Sequence, residues 1–227
     1  MRTSRLIALY LLAVLPGAAM AAGAPTSEKE KLGYTVGYQL GQSLKKDAAK
    51  LDVDQLTAAL RDVLAGTEPK LSTTEMTAVA QRFRESAVAE RKAEVASNLK
   101  ASQAFLAQNG KAKGVTALPS GLQYQVLKQG TGATPTLDDR VKVHYRGTLR
   151  DAKEFDSSYQ RGTPAVLPVS RTVAGWREAL TKMKVGDRWK LFVPPELGYG
   201  ETGAPGRIGP NEVLIFEVEL LGIEPKT

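Results

Sequence analysis

Between Thr73 and Asn109 the chain runs for 37 residues with neither proline nor glycine, then meets Asn109-Gly110. Read as a helix, this stretch is a rod about 55 Å long, well beyond the ordinary helix of a globular domain. Ser72-Thr73-Thr74-Glu75 has the spacing of a capping box and marks its start. Its apolar residues are sparse: Met76, Val79, Phe83, Val88, Val95, Leu99, Phe105 and Leu106. From Arg84 to Glu94 six of eleven residues are charged, and Val88 is the only large apolar one. Such a polar middle predicts a stalk that bridges through solvent. The expectation is that its first part packs with earlier helices and its last part leads to a second domain. A continuous coiled coil would need a thicker apolar stripe.

Two shorter helices precede the rod. Over Glu28–Lys46, Leu32, Val36, Leu40 and Leu44 recur every four residues, with Gly33, Gly37 and Gly41 interleaved at the same spacing. Each glycine costs a helix about 1 kcal/mol against alanine, so three in register predict the close approach of another helix backbone. That backbone belongs to the next helix or to a second chain. Asp52 with Gln55 three residues on opens the second helix, which carries Val53, Leu56, Leu60, Val63 and Leu64 and closes at Gly66 and Pro69.

Beyond Asn109 the pattern changes. Gly110, Gly114 and Pro119 with intervening lysines read as a linker over 111–120. Leu122, Tyr124 and Val126 then alternate with polar residues, as do Val141, Val143 and Tyr145, and Arg188–Val193 and Val213–Leu221 read as two further strands. Trp176, Leu180 and Met183 fall on one face of a single short helix. The expected fold class is therefore α+β: an all-helical N-terminal region with a long stalk helix, then an antiparallel sheet wrapped around one short helix.

Composition closes several routes. There is no cysteine, which removes disulfides, thiol nucleophiles, thiolate metal sites and bacterial lipid attachment. The one histidine, His144, lies between Val143 and Tyr145 in a strand and points to the opposite face, where an ordinary sheet residue outweighs a catalytic base. No multi-histidine metal centre is available, and no metal is expected. The formal charge of +7 is spread without a Lys/Arg block interleaved with aromatics, so no nucleic-acid partner is expected. At the N-terminus, Arg2 and Arg5, the apolar run Leu6–Val14, Pro16-Gly17 and Ala19-Met20-Ala21 form a cleavable signal peptide over 1–21. That run is too short for a hydrocarbon core needing about 20 residues, so export to the periplasm is expected rather than anchoring. Association with the outer membrane is left open.

Four motifs stand in order between Gly121 and Glu224: VHYRGTLRDAKEFDSS (Val143–Ser158), VAGW ending at Trp176, PPELGYG with Tyr199, and VLIFEVELL with Phe216. Singly each is weak; together they resemble the FKBP-type peptidyl-prolyl cis–trans isomerases. The N-terminal arrangement is similar to that of the dimeric bacterial macrophage infectivity potentiator group. The resemblance implies a half-barrel isomerase domain over 121–227, a helical dimerisation domain with its stalk over 22–110, and a homodimer formed through the N-terminal helices. It implies no cofactor. Substrates would be unfolded or proline-containing polypeptides, with macrolide inhibitors as further ligands.

Carried onto this chain, the resemblance makes Trp176 the pocket floor and Tyr145, Phe155 and Phe216 its walls. Val173 lies beside them with its N–H available to a substrate carbonyl. Ile208 sits on a mobile loop, Leu167 on a neighbouring strand, and Tyr199 offers its hydroxyl. Asp156 stands near the twisting carbonyl, held by Arg161. Read without the resemblance, Trp176 and Phe216 are simple core, Asp156 is a turn residue before Ser157-Ser158, and Tyr199 is loop packing. Departures from the family pattern are Ala165, Val166 and Leu167 after Pro164, Thr172 before Val173, and Arg207 and Gly209 in GAPGRIGPNEV. A competing reading is a periplasmic holdase or peptide-binding module whose isomerase pocket is secondary.

Overall fold

The computed structural model describes residues 23–224; the signal peptide expected over 1–21 lies outside them. The chain divides into two compact units at Thr73/Thr74. In the first, α1 (Glu28–Leu44) begins with a reciprocal cap: Ser27 Oγ accepts from Glu30 N, and Glu30 Oε2 accepts from Ser27 N and Thr26 N. Those backbone donors hold the Glu30 carboxyl down to about 2. After a 3₁₀ turn (Lys45–Lys50), α2 (Val53–Leu64) is capped by Asp52 Oδ1, which accepts from Gln55 N at 3.0 Å. Neither helix has a buried residue. Leu32, Val36, Val63 and Leu64 are all exposed, and a Cβ placed on Gly33, Gly37 or Gly41 would meet nothing within 4 Å.

The second unit contains the rod, α3 (Thr73–Asn109), and an open antiparallel sheet. Its strands are β1 (Val115–Ala117), β2 (Gln123–Lys128), β3 (Arg140–Thr148), β4 (Glu154–Ser157), β5 (Ala165–Pro168), β6 (Arg188–Val193) and β7 (Leu214–Glu224). They are ordered β1-β2-β6-β7-β3-β4, with β5 also paired to β3. One edge of β3 therefore holds β7 along its length, while the other pairs first with β5 and then with β4. Alternation along the strands turns Val141, Val143, Tyr145, Trp189, Leu191, Val193, Phe216, Val218 and Leu220 into one core, closed by α4 (Ala174–Leu180).

Three expectations are corrected. The supposed linker contains β1, which pairs with β2 from Val115↔Gln125 to Ala117↔Gln123, so 111–120 folds into the sheet edge. The short helix stops at Leu180, because Thr181 Oγ1 turns back to the carbonyls of Arg177 and Glu178; Met183 lies past its end yet is fully buried. The last turns of α3 do not merely lead into the sheet but cover its outer face. Phe105 packs on Phe192 with ring centroids 6.1 Å apart. Gln123 is buried there, donating from Nε2 to Leu106 O and accepting from Asn109 Nδ2.

Candidate active site

The site begins on one rung of the sheet. Gly147 of β3 pairs with Asp156 of β4 on one side and with Phe216 of β7 on the other. A Cβ at Gly147 would lie 2.7 Å from Phe155 Cζ and 2.9 Å from Phe216 Cε1, so only glycine lets both rings close over this strand. They meet edge to face, 5.5 Å apart at 88°. Trp176 continues the contact, 5.2 Å from Phe216 at 83° and 5.2 Å from Tyr145 at 89°. Edge-to-face geometry sets the positive ring edge against the negative ring face, which favours each pair beyond its burial. Gly175 explains how the indole reaches this place: a Cβ there would be 2.6 Å from Val193 Cγ1, so α4 lies directly on β6.

Trp176 is 4 % exposed and forms the base of the cluster, while Phe155, Leu167 and Val173 are half-buried and pack against it. Val173 is the N-cap of α4, and its N–H donates to no group among the described residues. Ile208 lies on the loop before β7 and is buried in the cluster, with Ala204 bridged to it through both backbone directions. Tyr199 is 44 % exposed on the loop before β7 and shares no ring contact with the others among the described residues.

Beside the rings stands a closed polar triangle. The Tyr145 hydroxyl donates to Asp156 Oδ2 at 2.5 Å, Arg161 Nη1 donates to Asp156 Oδ1 at 2.5 Å, and Arg161 Nη2 donates to the Tyr145 hydroxyl at 2.8 Å. Burial alone raises the Asp156 pKa, but the bonds from Tyr145 and Arg161 and the guanidinium charge outweigh it, and the carboxyl titrates below its ordinary value. Burial, then the bond to Asp156, pushes the Tyr145 phenol up, so it stays a neutral donor. Ser158, quoted in the sequence only as the end of a motif, anchors this arrangement. Its Oγ accepts from Tyr145 N at 2.8 Å, and its own N donates to Tyr145 O at 3.0 Å. Ser158 is fully buried, and the sequence carries no signal that sets it apart from Ser157.

This arrangement offers an apolar surface with one oriented carboxylate and one oriented phenol. It presents no thiol, and no group of three or more His, Asp or Glu able to hold a metal occurs among the described residues. The model of the FKBP-type peptidyl-prolyl cis–trans isomerase domain matches residues 132–221, which span every ring and polar group just described. A second model, for the domain amino-terminal to such isomerases, matches residues 29–126. The peptidyl-prolyl cis–trans isomerase Mip of Coxiella burnetii is 41 % identical over 98 % of this chain and 99 % of its own.

The chain is an FKBP-type peptidyl-prolyl cis–trans isomerase.

Among other relatives of this isomerase, the outer membrane protein MIP of Legionella longbeachae is 38 % identical over 97 % of each chain. The crystal structure of FkpA from Escherichia coli superposes with a TM-score of 0.66 at 38 % identity, covering 89 % of this chain and 99 % of that one. The α+β class and the isomerase activity read from the sequence are thereby borne out. In the isomerase, the helical region and the half-open sheet belong to one family architecture.

Proposed function

We propose that the ring cluster is the surface on which the Xaa-Pro bond turns, with the proline ring over Trp176 and between Tyr145, Phe155 and Phe216. Rotation about a peptide bond faces about 18–20 kcal/mol because resonance keeps it planar. The twisted amide has lost its dipolar resonance form, so a surface that strips water from the planar imide disfavours the ground state relative to the transition state. Val173 N–H and the Tyr199 hydroxyl hold substrate carbonyls, and Leu167 and Ile208 complete the apolar lining. Asp156, kept ionised and oriented by Arg161 and Tyr145, acts on the twisting carbonyl through its field rather than by taking a proton. The observation carrying this reading is the edge-to-face chain Tyr145–Trp176–Phe216–Phe155, with a charged carboxylate fixed at its border.

The substrates are proline-containing segments of unfolded exported proteins, met in the periplasm after the leader is removed; the name of the Legionella relative supports export. Two copies associate through the N-terminal helices, with residues 22–110 as dimerisation domain and stalk and the sheet that follows, β1 included, as isomerase domain. Support comes from the unburied apolar faces of α1 and α2 and from the empty space above Gly33, Gly37 and Gly41, which a second helix backbone fills.

One experiment addresses pocket and assembly together. The mature chain is titrated with a macrolide inhibitor while isomerisation of a short Xaa-Pro peptide is followed, and the same samples are sedimented to equilibrium. The expected result is competitive inhibition, one inhibitor per chain, and a two-chain mass. Gly37→Leu, whose side chain meets nothing in the single chain, shifts the mass to one chain and leaves short-peptide activity within about twofold. Non-competitive inhibition would remove the ligand from this pocket, and a one-chain mass for the unaltered protein would remove the dimer.

A further inference from the structure

The segment between β6 and β7 carries Tyr199 and Ile208, and helix α3 grips it at both feet. At the first foot Arg91 Nη2 donates to the carbonyls of Glu201 at 3.0 Å and Thr202 at 2.9 Å. At the second, Asn98 Nδ2 donates to Pro210 O at 2.9 Å, while Ser102 Oγ donates to Asn211 O at 2.7 Å and accepts from Val213 N at 3.2 Å. Asn211 ties the two feet to each other and to the helix. It is buried in the left-handed region (φ 51°), its N–H donates to Gly200 O at 2.8 Å, and its Nδ2 donates to Val95 O at 3.2 Å. The turn between the feet is closed on itself, Ala204 and Ile208 exchanging both backbone bonds. The tip that buries Ile208 therefore has its position set where the feet are held.

Arg91, Val95, Asn98 and Ser102 follow a spacing of four, three and four, so they share one face of α3. Three of the four are polar, on a helix the sequence reading expected to bridge through solvent. Ser102 is the only buried residue of the helix. A fully buried serine that both donates to and accepts from one short segment has its hydrogen-bonding capacity committed to the loop.

We propose that Arg91, Asn98 and Ser102 are positioning residues of the isomerase site. They hold the 199–213 loop, and with it Tyr199 and Ile208, in the conformation that receives substrate. The inference rests on the assignment of Tyr199 and Ile208 to substrate binding. Arg91 separates a positioning role from a merely structural one. Its side chain is half-exposed, and the carbonyls it holds belong to exposed residues that water can serve in its place, so its loss costs the fold little. What is lost is the preference of the loop for one arrangement. A site competent only part of the time binds more weakly in proportion to that fraction, while bound substrate turns over at the same rate.

The test compares the full-length chain with Arg91→Ala, Arg91→Lys, Tyr199→Phe and the Arg91→Ala/Tyr199→Phe double variant on a short Xaa-Pro peptide, with thermal midpoints measured in parallel. For Arg91→Ala the expected result is a KM raised about three- to tenfold, kcat within about twofold and an unchanged midpoint. Arg91→Lys, which restores a donor, recovers most of the KM. The double variant raises KM less than the product of the single effects, since both act through one loop. If Tyr199→Phe raises KM and Arg91→Ala does not, the brace is overturned while the loop keeps its role. If Tyr199→Phe leaves KM unchanged, the assignment of the Tyr199 hydroxyl to substrate fails, and the inference with it. A lowered midpoint with unchanged KM makes the contact purely structural and also overturns it.

Discussion

Trp176→Ala lowers kcat/KM on a short Xaa-Pro peptide by at least about tenfold and destabilises the isomerase domain by about 3–5 kcal/mol. The stability loss follows from burial: the indole is 4 % exposed and holds two rings edge to face, so its removal opens a cavity between α4 and the sheet. That cavity does not refill, because Gly175 already sets α4 against Val193 at the limit of close approach. The activity loss follows from the same vacancy, which admits water beneath the imide and removes the floor for the proline ring. Trp176→Phe keeps an aromatic floor and separates the two effects, recovering most of the stability and part of the activity. Chemical denaturation and the peptide assay, run below the variants' unfolding midpoints, read both. A folded Trp176→Ala protein with activity within twofold of the original would make the indole simple core. Following aggregation of an unfolded client in the same variants tests the holdase reading: protection that survives the loss of isomerisation makes it a separate activity.

Asp156→Ala lowers kcat about tenfold with KM changed less than about threefold. Removing the carboxylate leaves the part-buried Tyr145 hydroxyl without its acceptor, so the phenol is no longer held in one orientation. It also leaves the guanidinium of Arg161 without its balance, a bare positive charge that favours the planar, more dipolar imide over the twisted one. The ion pair itself adds little to stability, since the carboxylate side chain is 34 % exposed and its partner more so. The pH dependence has a definite sign. A carboxyl whose folded pKa lies below its unfolded one stabilises the fold above the unfolded value, and that contribution is lost as pH falls through the folded value. Acid titration of stability in Asp156→Ala therefore lacks part of the acid limb of the unaltered protein. Equal kcat in the two proteins would deny Asp156 any part in the chemistry.

Where the sequence was read through local chemistry it was legible. The glycine-spaced first helix, the Asp52 cap and the limits of β6 all follow from side-chain spacing and capping within a few residues. The ring cluster was legible for a related reason: Tyr145, Trp176 and Phe216 fall at inward positions of elements whose period was clear. What stayed hidden depends on distant surfaces. β1 and β4 have three and four residues, too few to show a period, and exist because β2 and β3 present unpaired edges. Gln123 and Phe192 alternate with the inward residues of β2 and β6, and strand periodicity gives no sign that α3 covers them. Ile208 was placed on a loop through the resemblance alone, and its burial there goes with the closure onto Ala204, which no local pattern shows.

The central claim is that a dry aromatic surface and a fixed charge turn the imide with no bond made and no proton moved. The solvent deuterium isotope effect on kcat/KM, followed across neutral pH, tests it most directly. The account predicts a ratio near one and a flat profile, because Asp156 stays ionised and Tyr145 neutral throughout that range. A ratio above about two with a bell-shaped profile would mean that a proton is in flight in the transition state, and would contradict it.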